Sequence, residues 1–205
     1  MIELKTFTRP VGRLLERAGL LAKREDFLKI LPKHSVGAEL GVFQGKFSEA
    51  IIKIVQPREL HLIDPWWKVI GEFYGEWSRY HNQGELLSTR KAYEQAVARV
   101  KAVDQAGVAV FHVSDDLTCL AQFEDNYFDW LYIDSSHQYA HTKQELELAR
   151  CKVKPNGIIA GHDWYADPTH VHHGVYRAVQ EFCQQYGWQL THRDRHTQWA
   201  IQQVQ

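Results

Sequence analysis

Glu39-Leu40-Gly41-Val42-Phe43-Gln44-Gly45 is the stretch whose residue types and spacing first suggest chemistry. A strand that runs into Glu-x-Gly-x-x-x-Gly makes a tight turn in which glycine lets the backbone approach a ligand, and the helix that follows offers unpaired N–H groups. Such a turn cradles a nucleoside cofactor. Asp64 closes the next apolar run, Glu59 to Asp64, where its two oxygens can accept from both hydroxyls of a ribose. Gly41 to Gly45 does not supply the Gly-x-Gly-x-x-Gly spacing of dinucleotide sites, and the chain has no Gly-Lys-Ser phosphate loop. The expected ligand is therefore a nucleoside without a diphosphate. Further acids, Asp115, Asp134 and Asp163, each fall at or just past the end of another apolar run.

These residues are positioned by an alternation of strands and helices. Ser35 to Leu40 reads as a strand, Phe47 to Val55 as a helix closed by Pro57, and Glu59 to Asp64 as a second strand, which completes a βαβ unit. Ser88 to Val103 has helical periodicity and Val108 to Val113 is a third strand, followed by Ser114-Asp115-Asp116. Phe128 to Asp134 is a buried strand, Thr142 to Cys151 a helix, and Gly157 to Gly161 a strand entered through a Pro155-Asn156-Gly157 turn. A helix from about Val175 to Tyr186 precedes two last strands, Trp188 to His192 and Gln198 to Gln202. This order predicts an α/β fold: a Rossmann-like, doubly wound, seven-stranded sheet, mostly parallel with an antiparallel last hairpin and helices on both faces. Ligands of such sheets bind at the carboxyl ends of the strands, where the acids fall.

Residues 1–34 are expected to be a helical leader packed on the fold, with Val11, Leu14, Leu15, Ala18, Leu21 and Ala22 at helical spacing and Pro32 as its end. Residues 35–205 form the main domain, interrupted at about 66–87 by an aromatic insertion bearing Trp66, Trp67, Phe73, Tyr74, Trp77 and Tyr80. At 205 residues the chain fits one domain, and its 44% hydrophobic and 24% charged residues suit a globular core. The net charge of -1 provides no field for nucleic acid or an anionic membrane, so a small-molecule partner is expected. Cys119, Cys151 and Cys183 are an odd number without metal-site spacing, and no apolar run has the length of a membrane span. With no signal-like segment at the start, a cytoplasmic protein is the expectation.

In the glycine turn and the acid that follows it, the chain resembles class I S-adenosylmethionine-dependent methyltransferases over roughly residues 35 to 202. The resemblance implies that Glu39, Gly41, Val42, Phe43 and Gly45 contact the methionine part of the cofactor, that Asp64 binds its ribose with Trp66 nearby, and that Ser114 and Asp115 meet the adenine. Asp115 reads equally well as a helix N-cap. Ile133-Asp134-Ser135-Ser136-His137 and Gly157 to Asp163 further resemble the metal-dependent O-methyltransferases of small molecules. By that likeness Asp134, His162 and Asp163 are candidate ligands of a divalent metal, Asp134 also borders the cofactor, and Asp134 and His137 are catalytic candidates with His137 as the base. His162 stands where the family carries a carboxylate or amide, and a set of two oxygens and one imidazole suits Mn, Fe or Zn better than Mg. A hydroxyl is a poor nucleophile until it loses its proton, which is the task of a metal and a base.

His170, His172 and His173 match no HExxH pattern and read as a solvated loop. The insertion reads as a lid over the cofactor or acceptor, or as an interface of a homo-oligomer. The alternatives to a metal-assisted O-methyltransferase are a metal-independent enzyme acting on nitrogen or another acceptor, a non-catalytic nucleoside-binding or assembly protein, and a nicotinamide-dependent reductase.

Overall fold

A computed structural model of the chain describes Glu16 and residues 21 to 203. The apolar runs become the strands of one sheet: β1 (Val36–Leu40), β2 (Glu59–Asp64), β3 (Ala109–Val113), β4 (Phe128–Ile133), β5 (Val153–Gly161), β6 (Trp188–Arg193) and β7 (Trp199–Gln203). Between them lie the helices α1 (Lys46–Val55), α2 (Thr89–Val103), α3 (Asp116–Leu120), α4 (Tyr139–Lys152) and α5 (His173–Tyr186). The strand order is β3-β2-β1-β4-β5-β7-β6, with β7 antiparallel to both neighbours and the other pairs parallel. This is the expected Rossmann-like sheet with its antiparallel last hairpin.

Side-chain alternation along the strands divides the interior into two cores. Val36, Ala38 and Leu40 of β1 join Leu131 and Ile133 of β4 on the face covered by α4 and α5. Trp130 and Tyr132 of β4 face the opposite side, with Ile51 and Val55 of α1 and Ala92, Ala96 and Val100 of α2. The register fixes where the strands end together. Leu40 pairs with Ile63 on one side and Ile133 on the other, and Ile133 pairs with Gly161. The residues that follow, Gly41, Asp64, Asp134 and His162, therefore emerge in a row along the carboxyl edge. From β1 the chain runs out to β2 and β3 on one side and then returns to add β4 and β5 on the other, and this switch in connection direction opens the crevice in which such sheets bind ligands.

Two expectations are corrected. Pro155-Asn156-Gly157 is not a turn leading into β5, because β5 already begins at Val153. Phe128 pairs with Val153 and Trp130 with Ile158, so the three residues sit in a bulge, where a proline without an N–H is tolerated. The leader contributes a 3₁₀ turn, Arg24–Ile30, in place of the end of a longer α-helix, and it buries Phe27, Leu28 and Leu31 against the α1 side. The helical pattern at Val11, Leu14, Leu15 and Ala18 lies outside the described residues. α3 begins after Asp115, in line with the reading of that residue as a helix N-cap.

Trp199 anchors the last hairpin to the site. Its ring is fully buried and its indole N–H donates to the carbonyl of His162 at 2.9 Å. A Cβ on Gly161 would lie 2.5 Å from that ring, so the close approach of β5 and β7 depends on glycine there. Trp199→Ala is expected to lower unfolding free energy by about 3–5 kcal/mol, measured by urea denaturation.

Candidate active site

The glycine turn is shaped by left-handed backbone at Gly41 (φ 88), Phe43 (φ 53) and Gly45 (φ 72). A Cβ at Gly41 would stand 2.1 Å from the carbonyl oxygen of Asp134, and one at Gly45 would stand 2.8 Å from Cα of Ala96. The first glycine thus brings the turn against the loop after β4, and the second lets α1 pack on α2. Val42 is buried, so of this pair it is the backbone that can meet a ligand.

Asp64 holds the turn from the neighbouring strand. Its Oδ2 accepts from the N–H of Val42 at 3.0 Å and of Phe43 at 2.8 Å, and its Oδ1 accepts from the N–H of Trp66 at 2.9 Å. Oδ1 carries only one of these bonds, which leaves acceptor capacity for a ribose hydroxyl. Burial raises the Asp64 pKa, while the N–H groups of Phe43, Trp66 and Val42 oppose that rise. Trp66 is fully buried; its indole donates to the carbonyl of Phe43 at 3.1 Å and its ring meets Tyr93 edge-on. It braces the turn from inside the core and does not project into the crevice. The rest of the insertion folds back over the turn, since the Phe43 ring touches Tyr74, Trp77 and His81 at centroid distances of 5.1, 5.2 and 5.4 Å. Both ends of the insertion are pinned, by Tyr74 N–H to the carbonyl of Leu87 and Thr89 N–H to that of Glu72.

Glu39 points under the turn and is 1% exposed, with the Ser48 hydroxyl donating to its Oε2. Burial pushes its pKa up to about 8, so the group is largely neutral at physiological pH. Ser114 follows β3 and its N–H donates to the carbonyl of Asp64 at 3.3 Å. Asp115 caps α3, with Oδ1 accepting from Thr118 N–H at 3.0 Å.

Across the switch point, Asp134, His137, His162 and Asp163 converge. Asp163 Oδ2 lies 3.1 Å from His137 Nδ1 and 3.2 Å from His162 Nδ1, and His162 Nδ1 lies 3.7 Å from Asp134 Oδ1. Burial alone would raise Asp163, but the hydrogen bond from His162 and the charges of His137 and His172 outweigh it and hold the carboxyl below its usual range. His137 and Asp163 both have left-handed backbone, φ 58 and 62, a strain that packing sustains at functional positions. The donor atoms of Asp134, His162 and Asp163 lie within 4.8 Å of one another, as do those of His137, Asp163 and His172. Asp134 Oδ2 is engaged by the Arg24 guanidinium at 2.7 Å, which leaves Oδ1 facing His162.

Two of these partners were not apparent in the sequence. His172 was assigned to a solvated loop, yet its ring meets His137 edge-on at 4.8 Å. Its backbone N–H donates to His170 Nδ1, and His170 stacks on Tyr165 at 3.5 Å. The density of histidines shortly after Asp163 was the available signal. Arg24 comes from the leader, where a lone cation has no pattern that assigns it to an acid more than 100 positions away.

The sheet order, the glycine turn at the switch point and the row of strand-end acids define a Rossmann-like methyltransferase. A family model described as "Methyltransferase domain" matches residues 38–164, and the chain belongs to that family. The resemblance to class I S-adenosylmethionine-dependent methyltransferases holds at the level of family and fold. Among solved structures, a Corynebacterium glutamicum protein superposes with a TM-score of 0.66 at 13% identity, covering 99% of this chain and 94% of that one. A SAM-dependent methyltransferase from Aquifex aeolicus gives 0.57 at 15% identity, covering 96% and 97%. The O-methyltransferase TomG from Streptomyces achromogenes, involved in tomaymycin synthesis and solved with SAM, gives 0.55 at 17%, covering 97% and 82%. No curated protein matches this chain in sequence. No helix among the described residues is long and apolar enough to cross a membrane.

The buried Glu39 gives stability a pH dependence with a defined sign. Between its ordinary 4.5 and about 8 the unfolded chain ionises this group and the folded chain does not, so its contribution to stability falls as pH rises through that window. Glu39→Gln is expected to remove this slope. The difference between wild type and variant, from urea unfolding at pH 5 to 8, should change by on the order of a few kcal/mol.

Proposed function

We propose that the chain transfers the methyl group of S-adenosylmethionine to a hydroxyl of a small molecule, with His137 as general base. The observation that carries this reading is the His137–Asp163 pair, set three residues beyond the point where the loop after β4 meets the glycine turn. Asp163 Oδ2 lies 3.1 Å from Nδ1 of His137, and a proton placed on that nitrogen to face the carboxylate leaves Nε2 with a lone pair to take the acceptor's proton. The acceptor oxygen attacks the methyl carbon as the carbon–sulfur bond breaks, and the sulfonium becomes a neutral thioether. The leaving group therefore needs no acid, and a single base on the acceptor side completes the proton balance.

The donor side is attributed to Gly41 and Gly45, whose backbone can lie against the methionine portion, to Asp64 for the ribose, and to Ser114 and Asp115 beside the adenine. A net charge near zero favours a small acceptor over nucleic acid, and TomG supports oxygen as the methylated atom. Asp134, His162 and Asp163 fit a divalent cation as two carboxylates and one imidazole, and such an ion would supply a Lewis acid that lowers the pKa of the acceptor hydroxyl. Arg24 neutralises one oxygen of Asp134, which favours a weakly held ion over a permanent one.

A panel of phenols and alcohols assayed with radiolabelled S-adenosylmethionine tests the proposal. For an acceptor that turns over, His137→Gln should lower kcat by about 10²–10⁴-fold with binding of S-adenosylhomocysteine unchanged. Transfer only to amines, or an unchanged kcat in the variant, would refute this reading.

A further inference from the structure

Away from the reacting centre, between α3 and α4, lies another convergence of metal-type donors. Asp116 opens α3, while His141 and Glu145 stand four residues apart on α4 and so share one face of that helix. His141 Nε2 lies 2.9 and 3.0 Å from the two oxygens of Asp116 and 3.8 Å from Oε1 of Glu145. One donor atom from each residue falls within 4.8 Å of the others. Tetrahedral zinc bound at about 2.1 Å places its ligand atoms about 3.4 Å apart, within the range of separations found here.

A second observation points to a missing ligand. Glu145 is fully buried; its Oε1 accepts from the Ser135 hydroxyl at 2.5 Å, while its Oε2 meets no N–H or hydroxyl donor and the carboxyl group's other partner is the carboxyl group of Asp116. An orphaned carboxylate oxygen in the interior is costly. The neighbouring Asp116 adds to that cost, and burial together with its charge pushes Glu145 well above the usual carboxyl range. A proton shared between the two carboxyls satisfies them only while one stays neutral, whereas a cation satisfies both when they are ionised. His141 is about one quarter exposed, which gives the site an opening to solvent.

We propose that Asp116, His141 and Glu145 bind a structural divalent transition metal, zinc being the best match to two carboxylates and one imidazole. Water would complete the tetrahedron, and the Ser135 hydroxyl would hold Glu145 from outside it, as supporting hydrogen bonds do for metal-bound carboxylates. None of these ligands belongs to the Asp134–His162–Asp163 group. Asp116 follows Ser114 and Asp115, and Ser135 follows Asp134, so the ion would tie the loop after β3 to the loop after β4. Those two loops bracket the ends of β1 and β2, which carry the glycine turn and Asp64, and the metal's task would be to fix their separation.

The test is zinc stoichiometry and thermal stability of the metal-stripped full chain, comparing wild type with Glu145→Gln, His141→Gln and Asp163→Asn. Glu145→Gln replaces a neutral buried acid by an isosteric amide and should keep the fold. If it does not, His141→Gln, at the exposed edge, decides. The expected result is that both variants bind one zinc fewer than wild type and lose the rise in Tm on zinc addition, while Asp163→Asn retains that zinc and that rise. Cobalt should give the visible bands of a tetrahedral ion in Asp163→Asn but not in Glu145→Gln. The proposal is overturned if the Glu145 and His141 variants bind as much zinc as wild type, or if Asp163→Asn binds none.

Discussion

The carboxylate of Asp64 is the interaction on which the glycine turn and the insertion beside it depend. Three backbone N–H groups converge on it, two from the glycine turn after β1 and one from the start of the insertion after β2. Both segments are strained, Phe43 in the turn and Trp66 at the start of the insertion being at positive φ, and such backbone persists only where neighbours hold it. Asp64 can do this because the register of β1 and β2 ends both strands at the same level, Leu40 opposite Ile63. The same carboxylate then governs the insertion, since Trp66 is fixed through its N–H and Phe43 carries the aromatic cover of Tyr74, Trp77 and His81. Sheet register, turn shape and cover over the crevice are thus linked through one side chain.

Asp163 has the corresponding position across the switch point, with the difference that its partners are side chains. It gathers histidines from the loop after β4, from its own strand end and from the loop before α5. The two halves abut where Gly41 passes the carbonyl of Asp134, and no Cβ would fit between them. Under the proposed function, a donor on the turn and an acceptor near His137 would share one crevice because backbone packing sets the distance between the two halves.

The glycine turn and its acid were legible in the sequence because their logic is local. Glu39, Gly41 and Gly45 belong to one strand–turn–helix unit, and Asp64 marks the end of the next strand, so position along the chain nearly equals position in the fold. The sheet was legible for the same reason: alternating short apolar runs and helical periods leave few topologies. Asp134, His162 and Asp163 were placed by the same strand-end rule and are brought together as expected. What remained hidden depends on contacts between distant segments. Arg24 reaches Asp134 from the leader, His172 reaches His137 from a loop that reads as solvated, and Glu145 with His141 reads as ordinary helix surface until α3 packs Asp116 against it. The bulge at Pro155 was missed because Pro-Asn-Gly is a stronger local signal for a turn than for an irregular strand.

The most direct measurement is the affinity of S-adenosylhomocysteine for wild type and Asp64→Asn by titration calorimetry. Asparagine keeps the size of the side chain but turns an NH₂ toward N–H groups that need an acceptor. The account predicts stoichiometric binding to the wild type and roughly 10- to 100-fold weaker binding to the variant, the loss of one or two charge-assisted hydrogen bonds. Equal affinity in the two proteins, with both folded, would contradict the claim that Asp64 holds the donor site in shape.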